Sequence, residues 1–283
     1  MVTFQCWSAF HNSNERFDPP KCHPQTRKVV LESIMAWIND RTRVASIMWL
    51  CGPAGAGKSA IAQTLSERCE ANYNLGASFF FSRTDPKRNC TKNLIPTIAY
   101  QLMLAIPPLK PLVTGAAEND RTIFSRKIAV QLEKLIIEPL LCLKAQTEHE
   151  GLPENWPQVI IIDGLDECSH QEVQADILNT ISNTLNKWKF PLCFLITSRP
   201  EQAIRDAFQT EAIKSISVQL NLDGTFNPDK DIKLFICSKF LAITETHAKR
   251  PFPVTWPSKS DVNTLVERSS GQFIYAAVMA MKI

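Results

Sequence analysis

The chain has 283 residues, of which 45% are apolar and 21% charged, so it can form one or two domains with a sizeable core and falls outside the composition range of disordered chains. Its 31 basic and 28 acidic residues leave a net charge of only +3. Because that excess is small and no run of five or more basic residues occurs, a nucleic-acid partner is not expected.

Cysteine usage and hydropathy indicate an intracellular protein. None of the nine cysteines forms a C-x-x-C pair, which disfavours a zinc or thioredoxin-like site, and the odd number fits a reduced chain. No apolar run approaches the roughly 18 residues of a membrane span, and the N-terminus lacks the basic region and cleavage site of a secretion signal. We therefore expect a cytoplasmic protein without a membrane contact.

Short apolar runs alternate with helical patterns along the chain. Residues 1–25 are polar and rich in turn formers, which predicts an extended arm, and a helix is predicted from Thr26. Strands are predicted at residues 46–52, 75–82, 158–163, 191–198 and 213–220. Helices are predicted between them at residues 57–72, 91–105, 123–145, 171–187 and 201–208. The fifth strand alternates apolar and polar residues, as an edge strand does.

Apolar runs separated by helices indicate a parallel sheet that is covered on both faces. We predict an α/β three-layer sandwich over residues 26–222, with a mostly parallel five-stranded sheet. Over residues 223–283 only helices are predicted, at 228–244, 259–268 and 271–282, which indicates a small all-helical subdomain. The chain stops within an apolar helix, so we expect this subdomain to be truncated. Its apolar face is predicted to bind protein partners or a second copy.

The segment GPAGAGKS, residues 52–59, matches the phosphate-binding pattern G-x-x-x-x-G-K-[ST] between a buried strand and a helix. Glycine lets backbone N–H groups surround a β/γ-phosphate, and the helix that begins near Gly57 adds its positive end. Lys58 is expected to neutralise phosphate charge and the Ser59 hydroxyl to ligate Mg²⁺. The alternative is a glycine-rich turn that binds nothing. The predicted nucleotide-binding residues are Gly52, Pro53, Ala54, Gly55, Ala56, Gly57, Lys58, Ser59 and Ala60.

Three carboxylates follow the most apolar strand, in the segment VIIIDGLDE at residues 159–167. Ligands bind at this end of the strands in open parallel sheets. Asp163 is therefore predicted to hold Mg²⁺ through water, and Glu167 to polarise an attacking water, with Asp166 as its neighbour. In the alternative interpretation Asp163 caps a helix and the other two residues are surface charges.

Arg199 ends the predicted strand LITSR. If that strand lies beside the strand before the glycine-rich segment, the guanidinium points at a γ-phosphate. The alternative is a solvent-exposed arginine. Arg83 follows the strand SFFFS and is interpreted as structural, and Cys168 has no histidine placed by sequence to activate it. The predicted catalytic residues are Lys58, Asp166, Glu167 and Arg199.

The segment GPAGAGKSAIAQTL, followed by VIIIDGLDEC and then LITSRP, resembles the NACHT domains of STAND-class P-loop ATPases. The segments FDPPKCHPQTRKVVLESIMAWI and GQFIYAAVMA resemble the fungal, NLR-like set that overlaps with nephrocystin-type N-terminal domains. The resemblance covers residues 15–283. It implies the P-loop NTPase fold with the LITSR strand between the other two, and residues from Cys22 to Arg27 near the adenine.

The resemblance also implies a signal-transducing ATPase that binds ATP or ADP with Mg²⁺ and hydrolyses ATP slowly, so that the bound nucleotide sets the conformation. By analogy with relatives it suggests a role in innate immunity. Such proteins usually carry an effector domain before this region and a winged-helix domain with repeats after it. Because 283 residues leave no room for these, we expect a fragment, a short product or a chain completed by a partner.

Three other functions are compatible with a phosphate-binding loop: a scaffold, a GTPase and a P-loop kinase. A nucleotide-binding scaffold with little or no hydrolysis is the main alternative, since hydrolysis in such proteins often needs a partner. A GTPase is disfavoured because the only Asn-Lys pair, at residues 186–187, lacks the aspartate of an N-K-x-D motif. A P-loop kinase lacks a recognisable lid for its acceptor.

Overall fold

Five parallel strands form one sheet, and each comes from one of the predicted apolar runs. The structure, a computed structural model, describes residues 6–16, 18–146, 156–188, 192–223, 226–246 and 256–281. The strands are β1 (Ile47–Cys51), β2 (Leu75–Phe80), β3 (Val159–Asp163), β4 (Cys193–Ser198) and β5 (Ser217–Asn221). Their order is β2-β3-β4-β1-β5, and every pair is parallel, as the alternation with helices predicts.

Helices cover both faces of the sheet, which confirms the α/β three-layer sandwich. Those of the sandwich are α1 (Lys28–Asn39), α2 (Lys58–Ala71), α3 (Leu94–Ala105), α4 (Leu109–Asn119), α5 (Ile128–Leu132), α6 (Glu138–Gln146), α7 (Gln171–Trp188), α8 (Gln202–Gln209) and α9 (Glu211–Lys214). Alternate strand residues face opposite sides. Met48 and Leu50 pack with α1 and α2, whereas Trp49 packs with the helices of the other layer.

The helical pattern misses two details of the sandwich. Helix α4 is not predicted, because prolines follow α3. Pro111 lies in the first turn of α4, where proline is tolerated because a backbone N–H there has no partner within the helix. Residues 213–214 belong to α9 and not to the predicted fifth strand, which begins at Ser217. That strand is nevertheless an edge strand, half exposed beside β1, as predicted.

The predicted helix over residues 123–145 is divided into shorter pieces. A 3₁₀ turn at Ile123–Ser125 precedes α5, and a π-helical turn at Glu133–Ile137 joins α5 to α6. Further 3₁₀ turns lie at Thr91–Asn93 and Leu165–Glu167. The apolar side chains still share one buried side, so the overall placement of the predicted helix is retained.

The N-terminal segment is packed and not extended as predicted. Residues Trp7–Ala9 form a 3₁₀ turn, and the buried His11 lies against the edge strand β2, where its backbone N–H and its ring Nδ1 are each 3.1 Å from Ser78 Oγ. His11 Nε2 lies 3.1 Å from Glu70 Oε2. The backbone of Ser78 itself is bonded by Gln101 of α3, which accepts its N–H at 3.0 Å and donates to its carbonyl at 2.8 Å.

Only helices follow Leu222 in the described residues, in agreement with the predicted helical region. They are α10 (Pro228–Thr246), α11 (Lys259–Ser269) and α12 (Phe273–Met281). Ile232, Ile236 and Phe240 of α10 pack against α11 and α12 in a small separate core. None of the described helices combines the length and apolar character needed to cross a membrane.

A few predicted residues lie outside the described part of the chain. They are residues 1–5 and 17 of the arm, residue 191 of the fourth strand and residue 282 of the last helix. The division into residues 1–25, 26–222 and 223–283 stays a prediction.

After the last turn of α2, Tyr73 adopts a left-handed backbone conformation that glycine adopts more readily than tyrosine. Tyr73 has φ 57°, its N–H donates to Glu70 O at 3.1 Å, and Asn74 N–H donates to Cys69 O at 2.8 Å. This is the hydrogen-bond pattern of a Schellman C-cap, in which the left-handed residue is usually glycine. Because the Tyr73 side chain is 78% exposed, little packing compensates the backbone strain.

We therefore expect Tyr73→Gly to raise the free energy of unfolding by about 1 kcal/mol, since glycine adopts this conformation without a clash. Urea denaturation measures the change. Tyr73→Ala is the control, because it removes the ring and keeps the strained backbone; a gain in both variants would show that the ring is responsible.

Candidate functional site

A glycine-rich loop joins β1 to α2, and its backbone conformation requires glycine at two positions. Gly55 has φ 74° and Gly57 has φ 92°, a region that side chains rarely allow. Gly57 is the N-cap of α2, and among the described residues no side chain caps this helix. A Cβ placed on Gly57 would meet nothing within 4 Å. The first backbone N–H groups of α2 are thus left without a side-chain cap, and an uncapped helix start is the arrangement that binds anions.

Lys58, the first residue of α2, folds back over this loop. Its Nζ donates to Gly52 O at 2.7 Å and to Pro53 O at 2.9 Å. Burial lowers the pKa of Lys58, and the nearby carboxylates of Asp166 and Asp163 act in the opposite direction. The Lys58 ammonium therefore lies on the glycine-rich loop, where the sequence motif predicts it.

Asp163, the last residue of β3, is a buried carboxylate with two hydroxyl groups near it. Its Oδ1 accepts a hydrogen bond from Thr197 Oγ1 of β4 at 2.6 Å, and the Ser59 side chain of α2 lies close enough to lower its pKa. Burial raises the pKa of Asp163, while both hydroxyl groups act to lower it. The two predicted metal ligands, Ser59 and Asp163, are thus brought together.

The donor set at this point is sparse for a metal ion. Within the described residues no group of three or more His, Cys, Asp or Glu side chains could hold one. A hydroxyl and one carboxylate suit Mg²⁺, which keeps several waters and takes further oxygen ligands from phosphates. The residues present therefore fit a magnesium ion that arrives with a nucleotide.

Asp166 is buried and holds Arg199. Its Oδ1 accepts the backbone N–H of Arg199 at 2.9 Å, and its Oδ2 lies 3.2 Å from Arg199 Nε. Strand β4 lies between β1 and β3. The LITSR strand is therefore next to the strand that precedes the glycine-rich loop, as the prediction for Arg199 requires. Asp166 consequently anchors this arginine and is not a free surface charge.

Glu167 lies at the end of the 3₁₀ turn that follows β3. Its Oε2 accepts the backbone N–H of Arg83 at 3.1 Å, and its own N–H donates to Gly164 O at 2.7 Å. Gly164 has φ 71°, and the carboxyl carbon of Glu167 lies 3.6 Å from where a Cβ on Gly164 would stand. The carboxyl carbon is at ordinary contact distance, so it is the positive φ of Gly164 that favours glycine at this position.

Arg83, which the sequence analysis interprets as structural, contacts the acidic turn after β3. Its Nη2 donates to Asp166 O at 3.0 Å. It follows β2, which lies next to β3 in the sheet. Nothing near Arg83 in the sequence indicates this, because the contact spans 83 residues. By contrast Cys168 is buried, and burial raises the pKa of its thiol, which agrees with the expectation that it is not activated.

Arg27 is a second residue whose position the sequence pattern did not resolve. It has φ 56°, is 4% exposed, and donates from Nη2 to Ala56 O of the loop at 2.9 Å. Its backbone N–H donates to Asp231 Oδ2 of α10 at 2.8 Å, and its guanidinium lies 4.8 Å from the ring centroid of Phe273 in α12. Burial lowers the pKa of Arg27. Among the described residues Nε and Nη1 have no hydrogen-bond partner.

Arg16 of the N-terminal segment reaches the rear of the site. Its guanidinium lies 3.7 Å from the ring centroid of Phe80 and donates to Gln63 Oε1 at 2.7 Å. Burial lowers the pKa of Arg16 to about 10, and the charge of Asp163 counteracts part of that effect. The turn-rich composition of the segment gave no sign of this contact.

A comparison with known families gives one match. The model of the family described as nephrocystin 3, N-terminal, matches residues 25–199. The matched range begins before α1 and ends at Arg199, so it includes the glycine-rich loop and all three carboxylates after β3. No curated protein matches the chain.

Thr197 is the polar link between β4 and the end of β3. Its hydroxyl donates to Asp163 and accepts the Gly164 N–H at 3.1 Å, and all of these atoms are buried. We expect Thr197→Val to lower the free energy of unfolding by about 2–3 kcal/mol, because a buried N–H and a carboxylate oxygen each lose a partner. Denaturation in urea without nucleotide measures it.

Thr97 of α3 offers a matched control. It is equally buried, but among the described residues its hydroxyl has no hydrogen-bond partner. Thr97→Val should therefore be neutral or stabilising. An equal loss in the two variants would show that shape, and not the hydrogen bonds of Thr197, determines the result.

Proposed function

The chain belongs to the nephrocystin 3 N-terminal family, and we propose that it is an ATP-binding signal-transduction NTPase that acts as a nucleotide-dependent switch and slowly hydrolyses ATP with Mg²⁺. One observation carries the proposal: the uncapped start of α2, with Lys58 over it, stands beside the neighbouring side chains of Ser59 and Asp163. This combination supplies donors for a polyphosphate and oxygen ligands for its metal ion at one edge of the sheet.

The loop residues would bind the phosphates through their backbone. Open N–H groups at the start of α2 donate to phosphate oxygens, and the Lys58 ammonium exchanges its carbonyl acceptors for the β- and γ-phosphates. A bound Mg²⁺ would be held by Ser59 and, through water, by Asp163, and would neutralise charge on the phosphate oxygens. The family resemblance implies that the adenine would lie near residues 22–27.

For hydrolysis, Glu167 is the residue proposed to accept a proton from the attacking water at its carboxylate. Its Oε2 is held by the Arg83 N–H, so the carboxylate has a defined orientation. Arg199 is oriented by Asp166 and is proposed to sense the γ-phosphate from the end of β4. Asp166 therefore acts by positioning Arg199.

The contact between the loop and the helical region supports a switch. Ile274 N–H of α12 is 3.4 Å from Gly55 O, and a Cβ on Gly55 would collide with the Ile274 side chain. Arg27 joins the same loop to α10 and α12. Because packed contacts of this kind have few alternative arrangements, a loop that moves to accept phosphate must displace α12.

A nucleotide-binding scaffold with little hydrolysis is the alternative. It is favoured by the fact that both carboxylates of the turn are engaged, Asp166 by Arg199 and Glu167 by Arg83. The NACHT assignment and a role in innate immunity rest on the sequence resemblance, and localisation in the cytoplasm is likewise an expectation.

Fluorescent ATP binding and single-turnover phosphate release test the proposal. We expect Lys58→Ala to weaken ATP binding by about ten- to hundredfold, because a charge-assisted contact with phosphate is lost. Glu167→Gln should retain binding and lose Mg²⁺-dependent phosphate release. Lys110→Ala is the control, since Lys110 is an exposed lysine on α4.

The outcomes separate the two functions. Binding without any phosphate release that depends on Glu167 favours the scaffold. If the wild-type chain does not bind ATP, or if Lys58→Ala binds as tightly as Lys110→Ala, the loop is not a nucleotide site.

We further propose that α12 mediates self-association. Ile274 and Val278 stand one helical turn apart and are both exposed, which leaves an apolar strip on this helix. Val278→Glu should shift the protein towards monomer in light scattering at micromolar concentration. Leu104→Glu, at an exposed apolar position on α3, is the control. A wild-type chain that is monomeric under the same conditions would contradict the proposal.

A further inference from the structure

Arg83 connects the ends of three neighbouring strands. It follows β2, its Nη2 donates to Asp166 O in the turn after β3 at 3.0 Å, and the same atom lies 3.9 Å from Glu201 Oε1 after β4. Since β2, β3 and β4 are adjacent in the sheet, one side chain spans all three loops.

The main chain of Arg83 makes the second contact with the turn. Its N–H donates to Glu167 Oε2 at 3.1 Å. Arg83 thus holds two successive residues, Asp166 through its carbonyl and Glu167 through its carboxylate. The first bond fixes the backbone of the turn and the second fixes the side chain that projects from it.

Arg199 and Arg83 both hold the turn after β3, Arg199 from the end of β4 and Arg83 from the end of β2. Arg199 pairs with the carboxylate of Asp166, and Arg83 bonds to the carbonyl of the same residue. The Arg83 side chain is 60% exposed, so its ion pair with Glu201 at 3.9 Å contributes little. The hydrogen bond to the carbonyl is the contact that restricts the turn.

We propose that Arg83 is a positioning residue for ATP hydrolysis. This positioning role rests on the proposed function, in which Glu167 accepts a proton from the attacking water. Arg83 keeps the backbone of the turn in place, so that the carboxylate of Glu167 stays at the Arg83 N–H and in one orientation. In this role Arg83 does not contact the reacting atoms and acts only through its bonds to Asp166 and Glu167.

A comparison of three variants in steady-state and single-turnover phosphate release tests this role. Arg83→Ala should lower kcat about ten- to hundredfold, because a general base that is displaced by a fraction of an ångström loses much of its effect. KM for ATP should stay within about twofold of the wild-type value. Arg83→Lys should recover part of kcat, since its ammonium can still donate to Asp166 O.

Lys87→Ala is the matched control, because it removes a positive charge from an exposed side chain in the same loop. Its kcat and KM should equal those of the wild type. If Arg83→Ala does not fold, as judged by circular dichroism, Arg83→Gln replaces it under the same criterion.

Each outcome decides the role of Arg83. A rise in KM as large as the fall in kcat would identify a phosphate contact and overturn the positioning role. An active wild type with Arg83→Ala equal to Lys87→Ala would overturn this inference alone. A wild type that binds ATP but releases no phosphate would overturn the hydrolytic part of the proposed function, and the role of Arg83 with it.

Discussion

The buried carboxylate of Asp163 is the interaction on which the site depends. It ends β3, accepts a hydrogen bond from Thr197 of β4 and lies near the Ser59 side chain at the start of α2, which lowers its pKa. A carboxylate without such partners would be costly to bury, so the three elements are held at one relative position. The same bonds bring the glycine-rich loop and the acidic turn to one edge, which each proposed step requires.

The three carboxylates after β3 have different partners, and this difference assigns them different roles. Asp163 faces Thr197 and Ser59, Asp166 pairs with Arg199, and Glu167 accepts the backbone N–H of Arg83. Three acidic residues within five positions would repel one another if they shared one space. Because their partners are separate, the three residues connect the end of β3 to β4, to the start of α2 and to the segment after β2.

Arg27 extends this arrangement to the helical region. It is buried, has a positive φ that residues other than glycine rarely adopt, and leaves two nitrogen atoms without a partner among the described residues. Strained, incompletely bonded residues are characteristic of positions where a structure changes state. Arg27 bonds to Ala56 of the loop and to Asp231 of α10, so such a change would involve both.

The amino-acid sequence alone predicts the parallel sheet, its covering helices, the glycine-rich loop and the acidic turn, because apolar periodicity and short motifs act over a few residues. It did not reveal α4, the packing of the N-terminal segment or the position of Arg83. These depend on contacts between distant residues: Arg83 meets Asp166 only because β2 and β3 are neighbours, and Arg27 meets Asp231 only when α10 packs near the loop. Tertiary structure decides such pairings, since strand order and helix packing bring together side chains that no local pattern connects.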